Sequence, residues 1–344
     1  MTVNLITGVG GFVASHLADY LLEKGEQVVG TYRWNEDLSR IKHIKDKITM
    51  IPADLNDMSS LLKALETKPD YIYHLAAESY VNDSFDRPIE TMRTNAVGTT
   101  NLLEAIRLTI DQSKTCQACE GYGSWDPKIH VCSSSEYYGQ VTEEDIPINE
   151  LCQPRPANPY AASKVAADMI AYVYFKYYGL KIIRTRMFTH TGPRRTMMSA
   201  ECAFAKQIAE FEKELHEFVK DDSKELRKEF ILKHGNLDSV RTFADVRDAV
   251  KAYYLLLHNC TPGEVYNIGG ETEMKIETML KTLIDMSPIG DKIKLEQDPK
   301  LLRKADVTLQ IPDCTKFKKE SGWEPEIPFD KTMEDLLDFW RQNV

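Results

Sequence analysis

Tyr160 and Lys164, in the run Tyr160-Ala161-Ala162-Ser163-Lys164, carry the chemistry of this chain most directly. Spaced four residues apart on a helix, a phenol and an ammonium share one face. The ammonium favours the phenolate, so a group that titrates near ~10 can accept a proton at neutral pH. Upstream stand Ser134-Ser135-Glu136 and, near the N-terminus, Thr7-Gly8-Val9-Gly10-Gly11-Phe12. A phenolate beside a dinucleotide pocket is what alcohol oxidation by hydride transfer requires. The pattern points to an enzyme of that kind.

The elements that must position these groups are legible as an alternation. Strand signals fall at 3–7, 27–32, 48–51, 71–75, 129–133 and 181–186, with helical stretches at 11–24, 59–66, 88–108 and 157–178 between them. Such alternation predicts an α/β fold, a Rossmann-like doubly wound parallel sheet with helices on both faces. Beyond Arg186 the rhythm changes: a long, charged helical region spans 200–228, with a break expected near Asp221-Asp222-Ser223. Helices at 245–258, 276–285 and 331–341 and a strand at 264–269 follow. The expected organisation is a dinucleotide-binding domain of residues 1–186 plus about 236–268, and a smaller α/β substrate domain of 187–235 and 269–344.

Gly8, Gly11 and Ala14 have G-x-x-G-x-x-A spacing between the first strand and the first helix. Gly8 permits the turn, Gly11 lets the backbone approach a pyrophosphate at the helix N-terminus, and Ala14 keeps the helix close to the sheet. Gly10, Phe12 and Val13 complete the expected contact surface. NAD enzymes usually end the second strand with a carboxylate for the ribose 2′-hydroxyl. Here Gly30-Thr31-Tyr32-Arg33-Trp34 offers none before Glu36, and Arg33 suits a 2′-phosphate or adenine. NADP is therefore favoured over NAD.

Together these motifs resemble the extended short-chain dehydrogenase/reductase family in its nucleotide-sugar branch. The resemblance also runs through Asp54-Leu55, His74-Leu75-Ala76-Ala77, Ser133 to Gly139, Arg186 to Arg195, Val240 to Asp248, Leu302-Arg303 and Gly322-Trp323-Glu324-Pro325. Within the branch it is most similar to the GDP-mannose 4,6-dehydratases and the GDP-4-keto-6-deoxy-mannose reductases. The segment Lys206-Gln207-Ile208-Ala209, with Gly235-Asn236-Leu237 and Val240-Arg241, looks nearer the reductases. The resemblance implies adenine contacts from Asp54 and Leu55, and pyrophosphate and ribose contacts from Leu75, Ala76 and Ala77. It implies further cofactor contacts from His190 and Arg195, and ribose contact from Lys164. Ser79, Thr189, Arg241 and Arg303 would touch the sugar nucleotide, the two Arg through bidentate pairing with its diphosphate.

The reaction so implied is a 4,6-dehydration. The C4 hydroxyl is oxidised, the C5 proton is removed as water leaves C6, and the hydride returns to C6. Tyr160, helped by Lys164, would take the C4 hydroxyl proton, and Ser134 would bond the C4 oxygen. Glu136, two residues on along an extended strand end, faces the same side and would act at C5 and C6. Ser-Glu resembles the GDP-mannose type, and Glu136 disfavours simple 4-epimerisation. The alternatives are an NAD(P)H-dependent 4-ketosugar-nucleotide reductase or a C4 dehydrogenase on a GDP-sugar or GDP-heptose. A cofactor sensor is disfavoured by the retained Tyr-Lys pair.

Three departures from the family's pattern concern substrate placement: Thr189 after Phe188, Thr242-Phe243 after Arg241, and Lys304 after Arg303. Cys116 and Cys119 have half a zinc-module spacing, but zinc takes four ligands and only two are local. A loop insertion, a metal site and a redox pair stay open there, and no metal is assigned. The net charge of −10 argues against a nucleic-acid surface. No apolar run approaches the ~20 residues of a membrane span. The seven cysteines lack a regular framework, which fits the cytoplasm. By analogy with the family, a homodimer or homotetramer is expected.

Overall fold

The computed structural model describes residues 1–115, 125–220, 229–302 and 307–344. β1 (Val3–Thr7) turns into α1 (Phe12–Glu23); β2 (Gln27–Tyr32), β3 (Thr49–Pro52), α2 (Met58–Leu65) and β4 (Tyr71–His74) continue the alternation. α3 (Val81–Asp86), α4 (Pro88–Met92) and α5 (Gly98–Thr115) follow, the last two joined by a π-helical turn at Arg93–Val97. β5 (Lys128–Ser134), α6 (Pro159–Tyr178) and β6 (Lys181–Met187) come next. Then come β7 (His190–Thr191), α7 (Ala200–Lys220), β8 (Phe230–His234), β9 (Val240–Thr242), β10 (Ala244–Asp245), α8 (Val246–Asn259) and β11 (Val265–Ile268). β12 (Glu273–Lys275), α9 (Ile276–Asp285), β13 (Ile293–Gln297), β14 (Leu309–Gln310), α10 (Thr315–Ser321) and α11 (Phe329–Asn343) close the chain.

The large sheet has seven strands in the order β11-β6-β5-β4-β1-β2-β3, all parallel. Its strands are covered on both faces, so residues pointing either way are buried along β1, β2 and β6. On one face α1 and α8 pack Leu17, Leu21, Leu256 and Leu257; on the other α2, α5 and α6 pack Leu65, Leu103, Ile106 and Ala171. Strand order reverses at β1, so the carboxyl ends of β1, β4 and β5 border the crevice where ligands of such sheets bind. Those ends carry Thr7, His74 and Ser134.

A smaller unit packs α7, α9 and α11 around Phe204, Ile208, Phe211, Met279, Leu283, Met333 and Leu336. Its short sheets pair β12-β9-β14 and β13-β8. The segment of about 236–268 contributes to both units: β9 joins the three-stranded sheet, while α8 and β11 belong to the large one.

Some elements differ from the sequence expectation. The helix expected over 88–108 is interrupted by the π-helical turn, which swings Asn95 into the interior. The helix expected over 200–228 is seen to Lys220, and the expected break near Asp221 lies outside the described residues. Cys116 and Cys119 lie outside them too. Among the described residues there is no cluster suited to a metal ion and no helix long and apolar enough to cross a membrane.

Candidate active site

A cavity of about 690 Å³ runs from the β1–α1 turn, across the ends of β4 and β5, to the small unit. At the turn, Gly8 has φ +69°, and a Cβ there would stand 3.1 Å from Ala76. A side chain would thus be strained and would crowd the opposite loop. The N-cap of α1 is Gly11, with no side-chain cap and no acidic residue in the first turn. Its first N–H groups therefore lack a local partner and face a site suited to an anion.

Thr7 fixes the facing loop. Its hydroxyl oxygen accepts from the Leu75 and Ala76 N–H groups at 3.1 and 3.0 Å and meets His74 Nδ1 at 2.9 Å. His74 Nε2 in turn meets Thr99 Oγ1 at 2.9 Å, and Thr99 donates to the Asn95 carbonyl at 2.6 Å. Burial lowers His74 to about 3, which keeps this relay neutral. Asn95 then clamps Glu78 through both its backbone N–H and its carbonyl, and donates to Ser163 Oγ on α6 at 2.8 Å.

α6 is set by Asn158, whose side-chain oxygen accepts from Ala161 N–H at 2.7 Å, with Pro159 in the first turn. This places Tyr160 on the cavity wall beside Ser134. Lys164 lies behind the wall instead, its Nζ donating to the Cys132 carbonyl at 2.7 Å. Burial pushes Tyr160 well above its ordinary value, and Ser134 and Arg195 only partly oppose the shift. Burial likewise lowers the Lys164 ammonium. Both shifts have one physical origin, removal of the charged form from water.

Glu136, 8% exposed, lies on the same wall. Its backbone N–H donates to Ser134 Oγ at 3.2 Å. Asn158 Nδ2 donates to one carboxylate oxygen at 3.1 Å and Gln310 Nε2 to the other at 3.3 Å. Arg241, buried on β9, donates to the Gln310 side-chain oxygen and, at 2.8 Å, to the Val307 carbonyl.

The other expected contacts are distributed along this cavity. Gly8, Gly11, Phe12, Val13, Arg33, Asp54, Leu55, Leu75, Ala76, Ala77, Ser79, Thr189, His190, Arg195 and Arg241 line it. Gly10 does not, being packed against Glu36 and Leu38, and Arg303 lies outside the described residues. His190 stacks on Phe12, with ring centroids 6.0 Å apart and planes 4° apart. Arg195 pairs with the buried Glu201 at 3.0 Å.

The loop after β7 is fastened to the dinucleotide side at three points. His16 Nε2 meets the Pro193 carbonyl at 2.9 Å, Arg40 Nε donates to the Arg194 carbonyl at 2.8 Å, and the Arg194 guanidinium reaches Asp19 at 2.6 Å. Arg194 adopts a left-handed conformation, φ 69°, to turn its carbonyl this way.

With this geometry in place, the comparisons with known proteins become specific. The family model described as GDP-mannose 4,6 dehydratase matches residues 5–336. The chain belongs to that family. It is 30% identical over 339 residues to a GDP-6-deoxy-D-mannose reductase of Pseudomonas aeruginosa, covering 98% of this chain and 97% of the relative. It is also 30% identical over 362 residues to the human GDP-mannose 4,6 dehydratase, covering 97% and 90%. Among solved structures, that of RMD from Pseudomonas aeruginosa complexed with NADPH superposes with a TM-score of 0.77 at 28% identity over the whole of both chains. The geometry adds residues that sequence reasoning did not single out: Arg40 and Gln310 on the cavity wall, and Thr7, Asn95 and Asn158 behind it. Only Asn158 carried a local signal, an Asn-Pro pair opening a helix.

Proposed function

We propose that the protein is a nucleotide-sugar 4,6-dehydratase acting on GDP-mannose, with NADP as its resident hydride carrier. The observation that supports this reading is Glu136. Its buried carboxylate shares a wall with Ser134 and Tyr160 and is held from both sides. Proton removal at C5 and departure of the C6 hydroxyl require such a group, whereas a reductase can carry a similar Ser-Glu pair without using it.

The uncapped helix N-terminus, the Gly8 turn and the Thr7-pinned loop fit a pyrophosphate. Arg33 and Arg40 line the cavity beyond β2 and would face a 2′-phosphate, whereas NAD would rely on Glu36. The dinucleotide, when bound, supplies the hydride acceptor and then the donor. Ser134 orients the C4 oxygen, and Tyr160 exchanges the proton on it. Glu136 takes the C5 proton and gives one to the departing C6 hydroxyl. Arg241 on the small unit, and Arg303, are assigned to the diphosphate, with Ser79 and Thr189 beside the sugar.

A second reading, NADPH-dependent reduction of a 4-ketosugar nucleotide, is favoured by one observation. Burial keeps Tyr160 protonated, the form that donates to a carbonyl oxygen. Incubation with GDP-mannose and NADP, and separately with a GDP-4-keto-6-deoxy sugar and NADPH, separates the two. A product lighter by one water with no net change in reduced-nicotinamide absorbance supports dehydration. Stoichiometric NADPH oxidation by a 4-keto-6-deoxy sugar supports reduction.

We also assign a second copy of the chain to the outer face of α4 and α6. Ile89 is 77% exposed there, and Tyr172 and Tyr177 are 40% and 76% exposed. The described cysteines are all free thiols, consistent with a cytoplasmic location.

A further inference from the structure

We infer that Gln310 is a positioning residue for Glu136, the small unit's contribution to the catalytic carboxylate; the inference rests on the dehydratase reading above. Two side-chain amides hold Glu136, one to each oxygen. Each amide is itself oriented by a third group. Ala161 N–H donates to the Asn158 side-chain oxygen, so the Asn158 NH₂ must face the other way, toward Glu136. Arg241 has only donors to offer, and it faces the Gln310 side-chain oxygen. The Gln310 NH₂ must therefore also face Glu136. Neither amide can flip without setting donor against donor.

The two holders come from different units. Asn158 caps α6, the helix of Tyr160, whereas Gln310 lies on β14, in register with Arg241 on β9. The carboxylate is thus placed relative to Tyr160 by one amide and relative to the sugar-side sheet by the other. A carboxylate anchored by Asn158 alone keeps a free rotation about that single contact. C5 and C6 are reached only if the small unit holds its share.

Gln310→Glu is the discriminating variant. It keeps an oxygen for Arg241 but turns a donor toward Glu136 into a second carboxylate. Losing a hydrogen bond to a charged group, and gaining a like charge, predicts a fall in kcat of roughly 10- to 100-fold, whatever change in KM follows through Arg241. C4 oxidation does not need Glu136, so single turnovers should accumulate reduced-nicotinamide absorbance that wild type does not show. Gln310→Leu should behave alike. A raised KM with kcat unchanged, or slower turnover without that absorbance, would reduce Gln310 to a packing role. Absence of any dehydrated product from wild type would instead sink the dehydratase reading. The contact is then judged without turnover, in protein labelled with ¹⁵N in glutamine side chains. The NH₂ resonance missing from Gln310→Leu identifies Gln310. It should shift and exchange faster with solvent in Glu136→Ala, and an unmoved signal overturns the proposal.

Discussion

Tyr160 and Glu136 divide the proposed reaction, and each can be removed separately. Tyr160→Phe deletes the proton carrier at C4, and turnover should fall about 10²- to 10⁴-fold in a steady-state assay. Glu136→Gln leaves C4 oxidation but removes the C5 base. Rapid mixing should then show reduced nicotinamide building up with no dehydrated product. The pH dependence of kcat distinguishes the two readings of the site. Because burial raises the Tyr160 phenol, the phenolate needed for oxidation grows as pH rises, and dehydration should accelerate through the alkaline range. Reduction uses the neutral phenol and should hold level there. The types and spacing of Tyr160, Lys164, Ser134 and Glu136 were readable in the chain because each is itself reactive. Gln310 was not, since it is 174 residues from Glu136 and its partner is fixed only by the folded sheet. Lys164 shows the opposite limit. Its place on the helix face was legible, but its hydrogen bond to the Cys132 carbonyl depends on β5 lying underneath.

α6 and the strands beside it act as a rigid bracket for the wall. Asp168 on α6 is fully buried and accepts from Arg184 at 2.7 Å and Arg186 at 3.1 Å on β6. Asp168→Ala would leave two buried guanidinium groups without their counter-charge. The expected cost is about 3–5 kcal/mol, measurable as a lowered denaturant midpoint. The long elements were legible because apolar pairs such as Val28-Val29 and Ile182-Ile183 mark buried strands between helices of several turns. The two- and three-residue strands of the small unit were not, since runs such as His190–Thr191 are too short to show a period. Nor was the π-helical turn at Arg93–Val97, where a helical pattern continues while the register shifts by one residue.

At the scale of the whole molecule, four imidazoles are held in neutral form by desolvation. Burial lowers His74 and His130 to about 3, and His16 and His190 to about 4. An unfolded chain protonates them near ~6.5, so below that pH it binds protons that the native state refuses. Stability should therefore decline as pH falls from about 6.5 toward 4, by on the order of 5 kcal/mol at pH 5.5 if all four act independently. Chemical denaturation at pH 7.5 and 5.5 checks this. The proposed pairing of two copies through α4 and α6 is tested by Tyr172→Asp with Tyr177→Asp, which should yield a monomer by sedimentation. A last consequence comes from the loop stitched through Pro193 and Arg194 to α1 and to Arg40. A reaction that borrows an electron pair and hands it back gains nothing by trading its carrier between cycles. Such stitching predicts a long residence time, so the protein should emerge from purification already charged with its dinucleotide.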